Sequence, residues 1–244
     1  MQEIIYHTNY KLENEYWWFI ARNQILKKIV LEFTNIGKNN TLLDVGCGTG
    51  AFAAEFSKIT NVVGIDTSDI ALDYAKKRGI ENLINCYLSD FPRDKFQPDV
   101  LTFLDVIEHI EDDKSVVKDA YNLLQKDGYV VASVPAYQWL WSHHDELHMH
   151  YRRYTMNNFT QLFKDAGFNI QYSSYFNSFL FPLVAVKRIL DKVTGADEKN
   201  NSPIEEVSPF MNKVLKNIFL AEKKLLPNMF LPFGVSIVVV AKKV

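Results

Sequence analysis

The sequence predicts an α/β protein built on a doubly wound, mostly parallel sheet, and three observations support this prediction. Residues 41–68 have the order strand, glycine-rich turn, helix and second strand, with an acid at the tip of the second strand. Further short apolar runs alternate with amphipathic stretches of helical spacing along the chain. The last run, 235–241, is rich in β-branched residues and is typical of a buried strand. Together these patterns are typical of a nucleotide-binding fold.

Length and composition fit one globular domain. The chain has 244 residues, of which 48% are hydrophobic and 23% are charged, and its formal net charge is −2. A nearly neutral chain predicts no broad basic face, which argues against nucleic acid as a partner. Because residues 1–244 contain no internal repeat and no clear boundary, we expect a single domain.

The cysteines and the first residues bear on the location of the protein. Cys47 and Cys86 have no metal-ligand spacing, so free thiols in a reducing compartment are the simple interpretation. The chain does not open with a basic segment followed by an apolar one, as a signal peptide would. No uncharged apolar run approaches the roughly 18 residues that a spanning helix needs. We therefore expect a cytoplasmic protein without a transmembrane segment.

The first predicted element is a helix over residues 10–34, where apolar and aromatic side chains recur at helical spacing. Its unusually aromatic start leaves two interpretations open. In the simpler one, the helix only packs on the domain. In the other, residues 1–35 form a helical lid over a bound ligand. Trp18 or Tyr16 then shields the ligand, and Arg22 pairs with its carboxylate.

The central motif is the glycine turn 46–50, which follows the first strand and Asp44. Its three glycines allow a sharp turn and bring a ligand against bare main chain. The helix over 51–59 directs free N–H groups at the turn, which suits an anionic ligand group. Asp66, at the tip of the second strand, is placed to accept hydrogen bonds from ribose hydroxyls. The candidate cofactor contacts here are Asp44, Gly46, Cys47, Gly48, Gly50, Asp66 and Thr67.

The third strand is expected over residues 82–88, after a helix that Ser68 caps. Ser89, Asp90 and Phe91 follow it, and loops at this end of the strands line the ligand crevice of a doubly wound sheet. Asp90 can accept a hydrogen bond from an exocyclic amine, and Phe91 can cover one face of a ring. An aspartate that only stabilises a turn is the alternative.

The fourth strand is expected over residues 98–104, and the acidic segment after it faces the same crevice. Glu108 and His109 are expected to shape the floor of the site. His109 is either a general base or a structural hydrogen-bonding group. A helix over 112–126 and the fifth strand over 129–134 follow. The candidate cofactor contacts of this region are Leu104, Asp105 and Val106.

Four of the six histidines fall in the block 135–155. His144 and His148 have the i, i+4 spacing of metal ligands, but no H-E-x-x-H pattern is present, so we expect no metal. We interpret the block as a substrate-binding loop in which His144 or His150 takes a proton. Asp145 is expected to orient the neighbouring His144.

The same block supplies the candidate substrate contacts. Two adjacent arginines in it can hold a carboxylate or a phosphate. Aromatic side chains on both sides of the histidines suit an apolar or ring-shaped acceptor. The candidates are Tyr137, Trp141, Asp145, Arg152, Arg153 and Tyr154.

The remaining chain is expected to add helical elements over 136–155 and 176–232 on the substrate side. Residues 179–193 start apolar and become basic. They either contact a membrane surface or a lipid-like substrate, or pack on the domain or across a dimer. The other expected elements are a helix over 155–166, a strand over 168–174, a polar loop over 196–202, a helix over 209–226 and a last strand over 235–241.

Four of these stretches resemble class I S-adenosylmethionine (SAM)-dependent methyltransferases. Residues 44–50 resemble their motif I, in which an acid precedes G-x-G-x-G, whereas dinucleotide enzymes have G-x-G-x-x-G. Residues 105–110 resemble motif IV of the small-molecule members and lack the Asn/Asp-Pro-Pro-aromatic motif of the branches that methylate nucleic acid or glutamine. The segments 16–22 and 134–155 are similar to one bacterial branch, with its YWWF and WLWS-HD-H-x-RRYT blocks.

This resemblance implies a three-layer Rossmann-like methyltransferase fold with a seven-stranded sheet and an antiparallel last strand between the fifth and sixth. It implies SAM as cofactor, S-adenosylhomocysteine as product, and an acid after the third strand near the adenine amino group. The expected reaction is methyl transfer to a small molecule, with a hydroxyl of a metabolite, sugar-linked or lipid-linked compound as acceptor. A non-catalytic SAM-binding module and an NAD-type oxidoreductase are the alternatives. We expect a monomer or homodimer, and peripheral membrane contact is compatible with the sequence.

Overall fold

A computed structural model describes residues 3–195 and 207–244, so the expected polar loop 196–202 lies outside the described residues. The described residues contain one seven-stranded sheet of order β3-β2-β1-β4-β5-β7-β6. Its strands are β1 (Thr41–Val45), β2 (Asn61–Asp66), β3 (Asn82–Asn85), β4 (Val100–Leu104), β5 (Tyr129–Pro135), β6 (Asn169–Phe176) and β7 (Ser236–Lys242).

The strand order confirms the predicted fold class. Strands β1 to β5 are parallel, and β7 runs antiparallel between β5 and β6. The chain reverses its direction of winding between β1 and β4, which are neighbours in the sheet. In open α/β sheets a crevice forms at such a reversal, outside the carboxyl ends of the strands. The fold therefore places the glycine turn after β1 beside the acidic segment after β4.

Helices cover both faces of the sheet. The α-helices are α1 (Glu3–Leu12), α2 (Trp17–Thr34), α3 (Ala51–Phe56), α4 (Asp69–Lys77), α5 (Asp113–Leu123), α6 (His143–Leu147), α7 (Met156–Ala166), α8 (Phe181–Thr194) and α9 (Pro209–Ala221). No helix in the described ranges is long and apolar enough to cross a membrane.

The core lies in two layers because successive strand residues point to opposite faces. Leu42 packs with α2, α3 and α9 on one face, and Leu43 packs with α5 and α7 on the other. The same alternation recurs at Val238 and Val239 in β7. Each face of the sheet is thus buried under helices, which gives the expected three layers.

Several predicted boundaries were wrong, and two of these errors lie beside the crevice. The helix expected over 10–34 is two helices, α1 and α2, with a break at 13–16. The Glu13 carboxylate turns to the Thr49 hydroxyl and to Arg78 Nη2 at 3.0 Å, which ties this break to the glycine turn. The third strand ends at Asn85 instead of residue 88, because a 3-10 turn occupies Leu88–Asp90.

Gly50 and Gly48 give the first testable prediction. Both have positive φ, at 82° and 55°. A Cβ on Gly50 would lie 2.8 Å from Ala75 Cβ and 2.9 Å from Ala75 Cα, whereas a Cβ on Gly48 would meet nothing within 4 Å. We expect Gly50→Ala to lower the free energy of unfolding by about 2–4 kcal/mol, through backbone strain and overpacking together. Gly48→Ala should cost only about 1–2 kcal/mol, from strain alone.

Urea unfolding of the ligand-free variants measures this difference, and each variant serves as the control of the other. If the two variants were equally destabilised, the contact between a Cβ at residue 50 and Ala75 would contribute nothing to the cost.

Candidate active site

A cavity of about 1320 Å³ opens at the carboxyl ends of β1, β2 and β4. Pockets for small ligands commonly measure about 300–1,000 Å³, so this one has room for a cofactor and a second molecule. Its wall runs from the glycine turn, past the segment after β4, to the histidine block. The predicted cofactor contacts that line it are Trp18, Arg22, Asp44, Gly46, Cys47, Gly48, Asp66, Thr67, Ser89, Leu104, Asp105 and Val106.

Asp66 orders the glycine turn. Its carboxylate accepts hydrogen bonds from the Gly48 N–H and the Ser68 N–H, both at 2.9 Å. Burial raises the pKa of Asp66, and these N–H groups act against that rise. The carboxylate also lines the cavity, where it is available to ribose hydroxyls. One side chain therefore shapes the turn and faces the ligand space.

Asp44 is buried at the end of β1, with 3% of its surface exposed. Its Oδ1 accepts a hydrogen bond of 2.6 Å from the Thr102 hydroxyl. Burial raises the pKa of Asp44 to about 7, against the lowering effects of Thr102 and Arg22. The charged form of this carboxylate is therefore costly to hold in the ligand-free protein.

The raised pKa gives a prediction for stability against pH. From about pH 4 to about pH 7 the folded form holds a proton on Asp44 that the unfolded form has released, so stability falls as the pH rises. The substitution Asp44→Asn keeps an acceptor for Thr102 and removes this titration. We expect the stability of Asp44→Asn relative to wild type to increase over this interval, by a few kcal/mol at most, and to level off above about pH 7.

Urea unfolding at pH 4 to 8 in the absence of ligand measures this interval, with the exposed Asp73→Asn as matched control. A difference between Asp44→Asn and wild type that is constant over that range would contradict the prediction.

Arg22 is a buried cation at the cavity wall. Its Nη2 lies 2.6 Å from Asp105 Oδ2, and its Nη1 donates to Asn23 Oδ1 at 2.9 Å. The guanidinium also lies over the Trp18 ring, 5.3 Å from its centroid. The Arg22 Nε is buried and has no hydrogen-bond partner among the described residues. The partner expected for Arg22 was a ligand carboxylate; the structure gives it Asp105 and leaves one donor unused.

The segment after β3 differs from the prediction. Ser89 lines the cavity, but Asp90 is exposed outside it. Phe91 is buried in the core against Phe96, at 6.0 Å between ring centroids, so it does not cover a ligand ring. The 3-10 turn at Leu88–Asp90 rotates these side chains away, and it is Tyr87, exposed before the turn, that lines the cavity. Gly50, a further predicted contact, faces Ala75 instead.

Asp145 is the buried centre of the histidine block. Its Oδ1 lies 2.7 Å from Arg153 Nε and 2.9 Å from His150 Nδ1, and its Oδ2 lies 2.8 Å from Arg153 Nη2. Although burial raises the pKa of Asp145, the hydrogen bonds from His150 and Arg153 hold it below its usual range. Asp145 therefore holds an imidazole in place, but it is that of His150, and the neighbouring His144 is affected through the charge of Asp145, which acts to raise the pKa of His144. A capping box at the start of α6 turns the Asp145 carboxylate back to Ser142, and His150 meets it there.

The histidines group at the end of the cavity. The rings of His109 and His150 are 4.6 Å apart, and those of His144 and His148 are 4.2 Å apart. Burial, with His150 and His148 nearby, lowers the pKa of His109 to about 3. Part of the His144 surface is exposed, but the surrounding cavity wall desolvates the ring, and this desolvation and the neighbouring His148 lower its pKa to about 3 as well.

The low pKa values decide what these imidazoles can do as bases. Both rings are therefore neutral at neutral pH, and each binds a proton only weakly. A base of this kind therefore needs an outlet to solvent. His144 has one, because it is exposed and lines the cavity. His109 is only partly exposed and packs on His150, which favours the structural role for it.

Several predicted substrate contacts have structural roles outside the cavity lining. The Tyr154 hydroxyl donates to Asp113 Oδ2 at 2.8 Å, and Arg152 Nη1 lies 2.9 Å from the same atom. Tyr137 stacks on Tyr175 at 5.2 Å between ring centroids. Trp141 also lies outside the lining. Of the two adjacent arginines, Arg153 lines the cavity and Arg152 does not, because the acid at the start of α5 turns Arg152 away.

Sequence reasoning missed other cavity residues. From the N-terminal part these are Tyr6, Asn9 and Glu13, and from α8 they are Val184, Lys187, Arg188 and Asp191. The N-terminal residues lie within the segment 1–35 that one interpretation makes a lid, but the sequence did not single them out. The basic end of the 179–193 stretch was a signal, which the sequence left open as a contact with a membrane surface or a lipid-like substrate, or as a packing face.

This fold, with a glycine turn and an acid at the tip of β2 in one cavity, defines a class I SAM-dependent methyltransferase. Residues 17–173 match the sequence model of the family described as "Methyltransferase domain". That match covers more than half of the chain, and the protein belongs to this family. Its cofactor is SAM.

The curated relatives match only part of their length. Ubiquinone biosynthesis O-methyltransferase of Pelagibacter ubique is 32% identical over 96 residues, which cover 37% of this chain and 40% of the relative. The chain thus spans about two-fifths of the length of the curated relative that it matches.

Solved structures share the fold at low identity. A TehB-like SAM-dependent methyltransferase from Corynebacterium glutamicum has a TM-score of 0.56 and 17% identity, covering 91% of this chain and 88% of that one. Phosphoethanolamine N-methyltransferase 2 of Haemonchus contortus, solved in complex with SAM, has a TM-score of 0.58 and 16% identity, with coverages of 89% and 52%.

Proposed function

We propose that this protein transfers the methyl group of SAM to a hydroxyl of a small molecule, such as a metabolite or a sugar-linked or lipid-linked compound. The observation that carries the proposal is a single cavity with a glycine turn and Asp66 at one end and histidines at the other. An acceptor beside the histidines would share this space with the cofactor. The ubiquinone biosynthesis O-methyltransferases among the relatives support an oxygen acceptor by their names.

The residues at the glycine turn fit SAM. The open space above Gly48 suits close approach of a ligand to the main chain, and Asp66 suits the ribose hydroxyls. The Arg22 guanidinium, at the cavity wall, suits the carboxylate of the methionine moiety. When bound, SAM supplies a methyl group activated by its sulfonium. The task left to the protein is to align the acceptor and exclude water.

The first helices would serve as the lid over this site. Tyr16 and Trp18 line the cavity. Glu13, in the connection between α1 and α2, accepts from the Thr49 hydroxyl and from Arg78. These bonds hold the connection against the glycine turn, which supports a covering role for residues 1–35.

His144 is our assignment for the group that accepts the hydroxyl proton. It lines the cavity and is exposed, so it can pass the proton on to solvent. The hydroxyl oxygen forms the new bond to the methyl carbon, and its proton moves to the His144 ring. Assistance of this kind typically contributes about 10²–10⁴-fold to a rate. His150 is the second candidate from the sequence, and its Nδ1 is already engaged by Asp145.

Calorimetry with SAM and with NAD tests the cofactor, and a mass-spectrometric screen of small molecules for methyl acceptors tests the reaction. We expect SAM to bind and NAD not to bind. With an acceptor from the screen, His144→Ala should keep SAM affinity and lose about 10²-fold or more in turnover. The matched control is His7→Ala, which lies outside the cavity lining against Tyr74. NAD binding without SAM binding would overturn the proposal, and normal turnover of His144→Ala would remove it as the base.

A further inference from the structure

Glu108 is a buried carboxylate that pairs with no cation among the described residues. It has no exposed surface, and neither of its oxygens has a hydrogen-bond partner in that part of the chain. The two nearest acids differ from it, because Asp105 pairs with Arg22 and Asp145 pairs with Arg153. An isolated buried charge is costly unless a cation or hydrogen bonds compensate it. A cation bound beside Glu108 would supply such compensation.

Two imidazoles stand beside this carboxylate. Glu108, His109 and His150 each offer one ligand atom, and the three atoms lie within 4.8 Å of one another. Ligands bound at about 2.0–2.1 Å to a tetrahedral zinc ion lie roughly 3.4 Å apart, so small side-chain rotations would close the site. The three residues also line the cavity, at the end where the acceptor is proposed to bind.

Both histidines have the outer hydrogen bond that metal-bound imidazoles usually make. Asp145 Oδ1 lies 2.9 Å from His150 Nδ1, which leaves the His150 Nε2 as the ligand atom. The His109 ring is hydrogen-bonded to the backbone of His148. These contacts fix the orientation of each ring independently of any bound ion. The carboxylate–histidine arrangement at His150 is the one that commonly supports a zinc ligand.

We propose that Glu108, His109 and His150 bind a divalent cation of the zinc class in the wall of the cavity. Two imidazoles and one carboxylate favour such a borderline cation over Mg²⁺ or Ca²⁺, which prefer oxygen ligands alone. This proposal departs from the sequence expectation of no metal, which was argued from the spacing of His144 and His148 and did not consider this set. The three ligands come from two segments about forty residues apart in the chain.

Three protein ligands leave a coordination position open to an oxygen of the acceptor. A cation there lowers the pKa of a bound hydroxyl and stabilises the negative charge that develops on its oxygen. The proton of the acceptor hydroxyl then moves to His144, which is not one of the three metal ligands. This role in catalysis rests on the proposed methyl transfer, whereas the binding of the cation does not.

Titration of the full chain, free of any affinity tag and stripped with a chelator, tests the site. Co²⁺ uptake is followed by visible absorption, and Zn²⁺ and Mg²⁺ binding by calorimetry. We expect one equivalent of Co²⁺ or Zn²⁺ per chain and much weaker Mg²⁺ binding. Glu108→Gln should weaken Co²⁺ binding by about 100-fold or more, since loss of an outer partner alone costs about 10–100-fold. The matched control, His7→Ala, should bind Co²⁺ as the wild type does.

Circular dichroism checks the fold of each variant, and His150→Ala replaces Glu108→Gln under the same criterion if the latter does not fold. Failure of the wild type to take up stoichiometric Co²⁺ would overturn the proposal, as would undiminished binding by the folded variant or equal affinity for Mg²⁺ and Zn²⁺. A protein that binds SAM and methylates an acceptor without Co²⁺ uptake would refute the metal site alone. Co²⁺ uptake without SAM binding would refute the proposed function alone.

Discussion

Replacing Asp66 by alanine is expected to weaken SAM binding by about 100-fold, the largest effect we predict for the cofactor site. The carboxylate accepts from the N–H groups of Gly48 and Ser68 and faces the ligand space. Hydrogen bonds to a charged group contribute about 1.5–3 kcal/mol each. Alanine would lose the two bonds that Asp66 is expected to accept from the ribose hydroxyls, and at the low end of this range their loss corresponds to about 100-fold in affinity. Isothermal calorimetry with SAM measures the change.

Asp69→Ala is the matched control for this variant. Asp69 lies three residues further on and accepts from Asn85 Nδ2 at 2.6 Å, outside the cavity lining. We expect its SAM affinity to equal that of the wild type. An Asp66→Ala protein that binds SAM within about threefold of the wild type, a difference of less than about 1 kcal/mol, would show that Asp66 does not hold the cofactor.

Removal of the Asp145 carboxylate has the largest expected effect on stability. Asp145→Ala leaves the guanidinium of Arg153, a side chain that is only 6% exposed, without its carboxylate, and leaves the Ser142 N–H without its acceptor. Breaking one side of a buried pair typically costs about 3–5 kcal/mol. That is a large part of the roughly 5–15 kcal/mol by which domains are stable. Urea unfolding monitored by circular dichroism measures the loss.

The neighbouring Glu146 supplies the control for Asp145. Its side chain is 61% exposed and pairs with His143 at 3.1 Å, so Glu146→Ala should change stability by less than about 1 kcal/mol. The double variant Asp145→Ala/Arg153→Met no longer has an unpaired buried guanidinium, so we expect it to recover part of the free energy of unfolding lost in Asp145→Ala. If Asp145→Ala lowers the free energy of unfolding no more than Glu146→Ala does, the buried ion pair does not stabilise this block.

The fold was predictable because each of its signals is local. The glycines, Asp44 and the apolar runs identify β1 and its turn, and the β-branched run at 235–241 identifies a buried strand. The antiparallel insertion of β7 followed from the family resemblance. The boundary errors arose where short turns, at 13–16 and 88–90, interrupt a continuing hydrophobic pattern.

The candidate site was less predictable because its contacts join distant segments. His109 and His150 are about forty residues apart in the chain, and no spacing rule brings their rings to 4.6 Å. The adjacent positions of His144 and Asp145 suggested a pair, but helix capping turned the carboxylate to His150. Arg152 and Arg153 look equivalent in sequence, and only the packing against Asp113 and Asp145 separates them.

The place of β7 in the sheet has a consequence for synthesis on the ribosome. Among the described strands, β6 pairs in the sheet only with β7, and β7 is the last of them to be translated. Until residues 236–242 leave the exit tunnel, β5 presents an unpaired edge and β6 has no strand beside it. An open edge of this kind invites pairing with other nascent chains. The first five strands can assemble early, but the sheet is completed only when residues 236–242 insert between β5 and β6.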